Sequence, residues 1–196
     1  MPRPATVLLM RLAASLAATL TTPVLAHTGP GTHDTMLEGL MHPMAGFDHL
    51  LVMLGVGVLA MAIGGRARWA LPATFVGVMA LAAVVAMAGH AGSVAAEHLL
   101  ALSVLVIGAP LAWSARLPLS SAVALVAVCA AVHGQAHGIE TAGQANLAGM
   151  LLATALLHAA GAGIGATLAR LVPARFQVNR VLGAAMVLAG LALVAT

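Results

Sequence analysis

Long apolar runs, separated by short polar breaks, dominate the chain from residue 45 onward. Each run has roughly the 20 residues that an α-helix needs to cross the hydrocarbon core of a bilayer. We therefore predict an all-α integral membrane protein, a bundle of about six transmembrane helices. Because the connections are short, consecutive helices should be antiparallel neighbours. The predicted spans are 45–64, 69–88, 95–114, 118–137, 145–169 and 179–195.

The first 26 residues have a different pattern. Two arginines accompany a short apolar stretch, 12–20, and a Thr-Thr-Pro break precedes Val-Leu-Ala ending at Ala26. This layout is typical of a cleavable secretory signal, although an uncleaved anchor is the alternative. Cleavage after Ala26 would place His27 at a mature N-terminus outside the cytoplasm. The predicted organisation is a signal peptide, an extracytoplasmic segment and a six-helix transmembrane domain: 1–26, 27–44 and 45–196.

Composition supports the membrane assignment. The chain is 62% hydrophobic and 7% charged, whereas a soluble domain carries roughly 25% charged residues. Eight arginines and no lysines oppose five acids, for a net charge of +3, and the arginines form no cluster that would bind nucleic acid. The single cysteine, Cys129, excludes an intramolecular disulfide.

The arginines also predict the topology. They follow the first, third and fifth predicted spans, and positive residues mark cytoplasmic loops. Both termini would then lie on the outer side of the cytoplasmic membrane. All five acids and eight of the nine histidines fall on that side, and His158 alone lies deep in a span. The basic residues that set this orientation are Arg66, Arg68, Arg116, Arg170, Arg175 and Arg180.

The stretch HPMAGFDHLLVM, residues 42–53, brings polar groups to the mouth of the first span. His42 and His49 are seven residues apart, two turns along one helical face, and Met53 follows one turn later. Asp48 could orient a neighbouring imidazole or bind a cation. A cap with interfacial polar groups is the alternative, and for His42 alone both interpretations stay open. Ionisable groups in spans are costly, which favours function for Asp48 and His49.

A second constellation, HGQAHGIE, ends the fourth span. His133, His137 and Glu140 are spaced at i, i+4 and i+7, so they share one face if the helix persists through the two glycines. Two imidazoles and a carboxylate suit a borderline divalent cation such as nickel, cobalt, zinc or copper. Cys129, one turn deeper, is either a small apolar filler or a further ligand.

Other polar residues extend this set. His158 would be a deeper station on a metal path, or a histidine that hydrogen-bonds a neighbour. Glu97 and His98 open the third span much as an Asp-His pair opens the first. The candidates in the predicted outer segment form a metal-collecting arm or a disordered polar tail: His27, His33, Asp34 and Glu38.

The segments 42–53, 133–140 and 156–165 resemble the signature segments of the HupE/UreJ family. These are small bacterial membrane proteins associated with hydrogenase and urease maturation and regarded as nickel permeases. The resemblance implies secondary transport of nickel, or of another transition metal, with no organic cofactor. The preference for nickel over cobalt rests on the resemblance alone. It implies metal handling by His42, Asp48, His49, His133, His137, Glu140 and, in the fifth span, His158.

The sequence favours a permease over two other classes. No nucleotide-binding motif occurs, so the membrane potential would suffice to drive uptake, with an ATPase partner or a counter-moving proton as the alternatives. An intramembrane zinc-dependent hydrolase would use the same ligands, but no HExxH or GxSxG motif supports it. A non-transporting metal sensor or chaperone would bind the ion without moving it. Either a monomer or a homo-oligomer is compatible with six short spans.

Overall fold

The computed structural model describes residues 35–89, 96–114, 117–140, 143–171 and 177–195. Within these ranges all regular secondary structure is α-helical, and no strand occurs there. The helices, numbered in chain order, are α1 (Met36–Ala45), α2 (Phe47–Ile63), α3 (Ala67–Met87), α4 (Ala96–Ala112), α5 (Leu119–Glu140), α6 (Gln144–Leu171) and α7 (Val178–Val194).

Several of these helices can cross a membrane. Among the described residues, α3, α5 and α6 are each long and apolar enough to do so. The pair α1 and α2 qualifies together as a fourth candidate, although it is bent by 89°. Helices α4 and α7 are apolar but shorter. The chain is therefore a multi-pass helical membrane protein, and six crossings remain a prediction.

The start of the first span differs from the sequence prediction. Gly46 has extended backbone angles, φ −95° and ψ 120°, which end α1 and begin α2. His42 and His49 consequently lie on two helices, and the prediction that they share one helical face was wrong. Pro43 lies near the end of α1. The helix starts earlier because Thr35 and Glu38 form a capping box.

Glycines set the close helix pairs of the bundle. A Cβ atom at Gly161 would collide with the backbone of α2, and one at Gly57 would collide with the backbone of α6. Gly134 and Gly138 of α5 meet the backbone of α3 in the same way. Small residues at such contacts let membrane helices approach closely. Residue numbers rise together across both contacts, so α2 runs parallel to α6 and α3 runs parallel to α5.

Two further glycine contacts complete the packing. Gly183 of α7 lies against Ala112 of α4, and Gly190 lies against Leu105, so these two helices are antiparallel. Gly39 of α1 and Gly149 of α6 also lie against each other's helix backbones. This last contact fixes α1 against the beginning of α6, next to the bend at Gly46.

The centre of the bundle combines an apolar core with a group of buried polar side chains. The core includes Val56, Phe75, Met79 and Ile107, whereas large apolar side chains such as Leu188 are exposed on the outside. Such an exposed apolar surface suits contact with lipid. The buried polar side chains of the described ranges are His49, Ser103, His133, His137, Asn146, Thr154 and His158.

Candidate metal centre

Four histidines from three helices gather at one place in the bundle. The ring centroids of His49 and His137 are 4.7 Å apart, and those of His49 and His133 are 5.0 Å apart. His42 reaches in from α1, with its ring centroid 5.0 Å from that of His137 and 6.1 Å from that of His49. The two histidine motifs, far apart in sequence, therefore meet. His42 is half-buried, and the other three rings are buried.

Asp48 fixes the imidazole of His49. Its Oδ1 atom accepts hydrogen bonds from His49 Nδ1 and from the His49 backbone N–H, each at 2.8 Å. Because a carboxylate only accepts, the proton of this contact must lie on Nδ1, and in the neutral form of the ring Nε2 is the nitrogen with the lone pair. Gly46 makes this turn possible, since a Cβ atom there would lie 2.7 Å from His49 Nδ1.

His133 is oriented by its own helix. Its Nδ1–H donates to the backbone carbonyl of Cys129, one turn earlier, at 2.9 Å. Helix α5 persists through both glycines to Glu140, which is the condition for the i, i+4, i+7 spacing to share a face. The thiol of Cys129 lies within the apolar core cluster, as expected for a small apolar filler.

His158 lies deeper and belongs to the same series. Its Nδ1–H donates to the backbone carbonyl of Met53 in α2 at 2.8 Å. The ring of Phe75 in α3 packs between two imidazoles, with its centroid 4.9 Å from that of His158 and 5.4 Å from that of His133. An aromatic ring thus contacts both one of the outer histidines and the deeper one.

Three residues beside His158 are not among those predicted from the sequence. Phe75 is fully buried, as are Met79 and Thr154. The Thr154 hydroxyl lies 3.5 Å from Met53 Sδ and 3.7 Å from Met79 Sδ. The sequence feature that could have identified them is helical spacing: Phe75 and Met79 are four residues apart, and so are Thr154 and His158. In an apolar helix, such spacing is indistinguishable from ordinary core packing.

Three buried histidines share one hydrogen-bonding arrangement. In His49, His133 and His158, Nδ1 donates to a fixed oxygen, and Nε2 has no hydrogen-bond partner among the described residues. A buried nitrogen without a partner is costly and calls for an explanation. Histidines that bind metals are held in this way, with one ring nitrogen anchored and the other directed to the ion.

The centre is not a closed chelate as it stands. Within the described ranges, no three His, Cys, Asp or Glu side chains converge closely enough to hold one ion. The ring centroids are about 5 Å apart, and metal–nitrogen bonds are about 2.0–2.1 Å long for zinc. An ion between the rings would therefore have room to draw the imidazoles inward. The arrangement suits successive, partly coordinated stations better than tight storage.

Sequence comparison over nearly the whole chain identifies its family. Residues 14–193 match the family described as HupE / UreJ protein. The chain belongs to the HupE/UreJ family. It is also 40% identical over 188 residues to Protein HupE of Rhizobium leguminosarum bv. viciae, covering 93% of this chain and 96% of that protein. No solved structure matches the chain. HupE/UreJ membership confirms the resemblance seen in the motifs, and it supports a general role in transition-metal uptake in a transport and accessory family rather than an enzyme family.

The remaining predicted residues of this HupE/UreJ chain lie apart from the buried centre or outside the described part. Glu97 and His98 are exposed in the first turn of α4. The Glu38 carboxylate bonds to the Thr35 backbone at 3.1 Å and to its hydroxyl at 2.8 Å. Glu140 ends α5. The structure gives no account of His27, His33, Asp34 or the side chain of Glu140.

Proposed function

We propose that this HupE/UreJ protein is a secondary permease for a divalent transition-metal ion, with nickel as the preferred substrate. It would carry the ion across the bacterial cytoplasmic membrane into the cell, where hydrogenase or urease maturation uses it. The observation that carries the proposal is the series of anchored imidazoles, His49, His133 and His158, each with a bare Nε2 in a buried apolar bundle. A structural histidine gains nothing from leaving that nitrogen without a partner.

The series has an order from surface to centre. Asp48 and His42 are partly exposed, whereas His49, His133 and His137 are buried behind them. Phe75 and then His158 follow further into the bundle. With six spans and both termini outside, as the arginines indicate, this order runs from the outer face towards the middle of the membrane. Glu140, at the end of α5, would add a carboxylate to the outer mouth.

The ligand chemistry supplies selectivity. Imidazole nitrogen suits nickel, cobalt, copper and zinc, whereas magnesium and calcium prefer sites made of oxygen. Most of the stations are neutral histidines, so a dehydrated ion would be bound without being trapped. Transport requires binding that is strong enough to admit the ion and weak enough to release it.

We infer that the inner half of the proposed route would be closed by the close contact of α2 with α6. At His158 and one turn after it, Gly57 and Gly161 bring the backbones of α2 and α6 into close contact. Two cavities of about 400 Å³ and 290 Å³ lie further along, and both are lined by Ala62 and Asn179. A small shift of α2 against α6 would connect His158 to these cavities. We therefore place the inner gate at the glycine contact.

The membrane potential can drive this movement. One charge crossing 100 mV gains about 2.3 kcal/mol, so a divalent ion gains roughly 4.6 kcal/mol. At about 1.4 kcal/mol per tenfold, this supports an inward gradient above a thousandfold. No ATPase domain is needed for uptake against a modest gradient.

The test is radioactive nickel uptake in cells that lack their own nickel importers. We expect uptake with the unmodified protein and its loss in His49→Ala and His133→Ala at unchanged membrane level. His98→Ala is the matched control, because His98 is exposed in the first turn of α4, and it should transport normally. Cobalt, copper and zinc as competitors rank selectivity. Metal binding without uptake would instead indicate a sensor or chaperone.

A further inference from the structure

A pair of thioethers lies beside the deepest histidine. Met53 of α2 and Met79 of α3 are fully buried, and both sulfurs face the hydroxyl of Thr154 in α6 at 3.5 and 3.7 Å. A hydroxyl has one hydrogen to donate, so it can satisfy only one sulfur at a time. The second sulfur keeps its lone pairs available.

His158 brings a nitrogen to the same region. It follows Thr154 by one turn on α6, and its Nδ1 bonds to the backbone of Met53, whose side chain carries one of the sulfurs. Its Nε2 is buried and has no hydrogen-bond partner in the described part of the chain. Three helices therefore deliver one imidazole nitrogen and two thioether sulfurs to a single buried region.

We propose that Met53, Met79 and His158 form a second metal station of mixed nitrogen and sulfur donors. Thr154 positions the two sulfurs when no ion is bound. The station deepens the proposed function and rests on it, because the ion would arrive from the outer histidines. Its ligands are neutral and soft, so it accepts borderline or soft cations and rejects hard ones.

The surroundings suit a transit site. The buried polar side chains of the described ranges include histidines, a serine, a threonine and an asparagine, but no carboxylate. Neutral donors leave the charge of the ion uncompensated, which favours onward movement over storage. Phe75 lies one turn before Met79 on α3 and packs against both His133 and His158. Its ring is thus placed to separate the two stations.

X-ray absorption at the nickel edge tests the ligand set directly. The sample is the purified full chain with nickel, in which the four outer imidazoles are removed by His42→Ala, His49→Ala, His133→Ala and His137→Ala. We expect sulfur in the first shell of the bound nickel and its loss when Met53→Leu and Met79→Leu are added. Cys129→Ala, Met150→Leu and Met186→Leu each remove one of the other buried sulfurs of the described ranges, and all three variants should retain the sulfur signal.

The same samples separate this inference from the proposed function. A shell of nitrogen and oxygen alone, in a protein whose unmodified form transports nickel, would overturn the thioether station and leave the permease intact. Absence of uptake by the unmodified protein would overturn the permease itself. A sulfur signal that disappears in Cys129→Ala would assign the ligand to the thiol and also refute the proposal.

Uptake supplies the second readout. Met79→Leu removes the sulfur and conserves the side-chain volume. We therefore expect the uptake rate to fall about tenfold, which is the lower end of the effect of disturbing a metal site. Met186→Leu is the matched control in α7 and should transport normally. Thr154→Val should reduce uptake, and Thr154→Ser, which keeps the hydroxyl, should restore it. Equal rates in Met79→Leu and Met186→Leu would contradict the station.

Discussion

Asp48 Oδ1 accepts a hydrogen bond from Nδ1 of His49 at 2.8 Å, although the two residues are neighbours in sequence. The tight first turn of α2 after Gly46 makes this contact possible. It holds one ring nitrogen, and the other, Nε2, has no hydrogen-bond partner among the described residues. The acid of the Asp-His pair thus has a defined structural partner, the imidazole beside it.

The Asp48–His49 contact predicts a graded effect of substitution. Asp48→Ala removes the acceptor, so we expect apparent nickel affinity in uptake assays to fall about 10–100-fold, as for other residues that orient a metal-binding histidine. Asp48→Asn keeps an acceptor oxygen without the charge and should lose less. Equal and complete loss in both variants, with normal protein level, would show instead that the carboxylate binds the ion itself.

The contact between α2 and α6 predicts a sharp difference between two glycines on one helix. A Cβ atom at Gly161 would collide with Leu54, whereas a Cβ atom at Gly163 meets nothing within 4 Å. Gly161→Ala should therefore abolish uptake and lower stability by about 1–3 kcal/mol, the usual cost of overpacking. Gly163→Ala should retain both. Thermal unfolding in detergent and nickel uptake check the pair, and identical behaviour of the two variants would refute an inner gate at this contact.

The contact between α3 and α5 gives a similar prediction for the outer site. A Cβ atom at Gly134 would collide with the backbone of Met79, so Gly134→Ala should push His133 away from its neighbours. We expect nickel uptake to be strongly reduced in that variant. Gly77→Ala, in open space on α3, is the control and should take up nickel normally. Uptake by Gly134→Ala at the control rate would show that the spacing of α3 and α5 does not matter.

The cap of α1 predicts an effect on His42. Thr35→Ala breaks the capping box and should destabilise α1 by about 1 kcal/mol, whereas Thr35→Ser keeps a hydroxyl acceptor. Faster hydrogen exchange in the first turn of α1 would report the fraying. If α1 presents His42 to the ion, nickel uptake should decline in Thr35→Ala and stay normal in Thr35→Ser. Unchanged uptake despite faster exchange would exclude that role.

Several features of the fold could be predicted from the sequence. Helices α3, α5 and α6 fall within three residues of the predicted spans, because long apolar runs leave little choice in a membrane. Helix α1 was missed, although the Thr35–Glu38 spacing is a recognisable capping box. The polar composition of that segment suggested a tail, and the glycine at position 46 gave no sign of the sharp bend.

The candidate centre could be predicted only in part. Histidine spacing identifies the residues, but which rings meet depends on how helices distant in sequence pack. His42 approaching His137 follows from the bend at Gly46, which spacing does not reveal. The residues around His158, such as Met79, look like core because a thioether is apolar until its neighbours are known.

Nickel flux into vesicles that contain only the purified protein tests the transport function most directly. With a membrane potential negative inside, we expect nickel to accumulate in the vesicles, and we expect His133→Ala to abolish the accumulation. His98→Ala should behave like the unmodified protein. Nickel that binds the purified chain but does not enter the vesicles, with or without the potential, would contradict a permease.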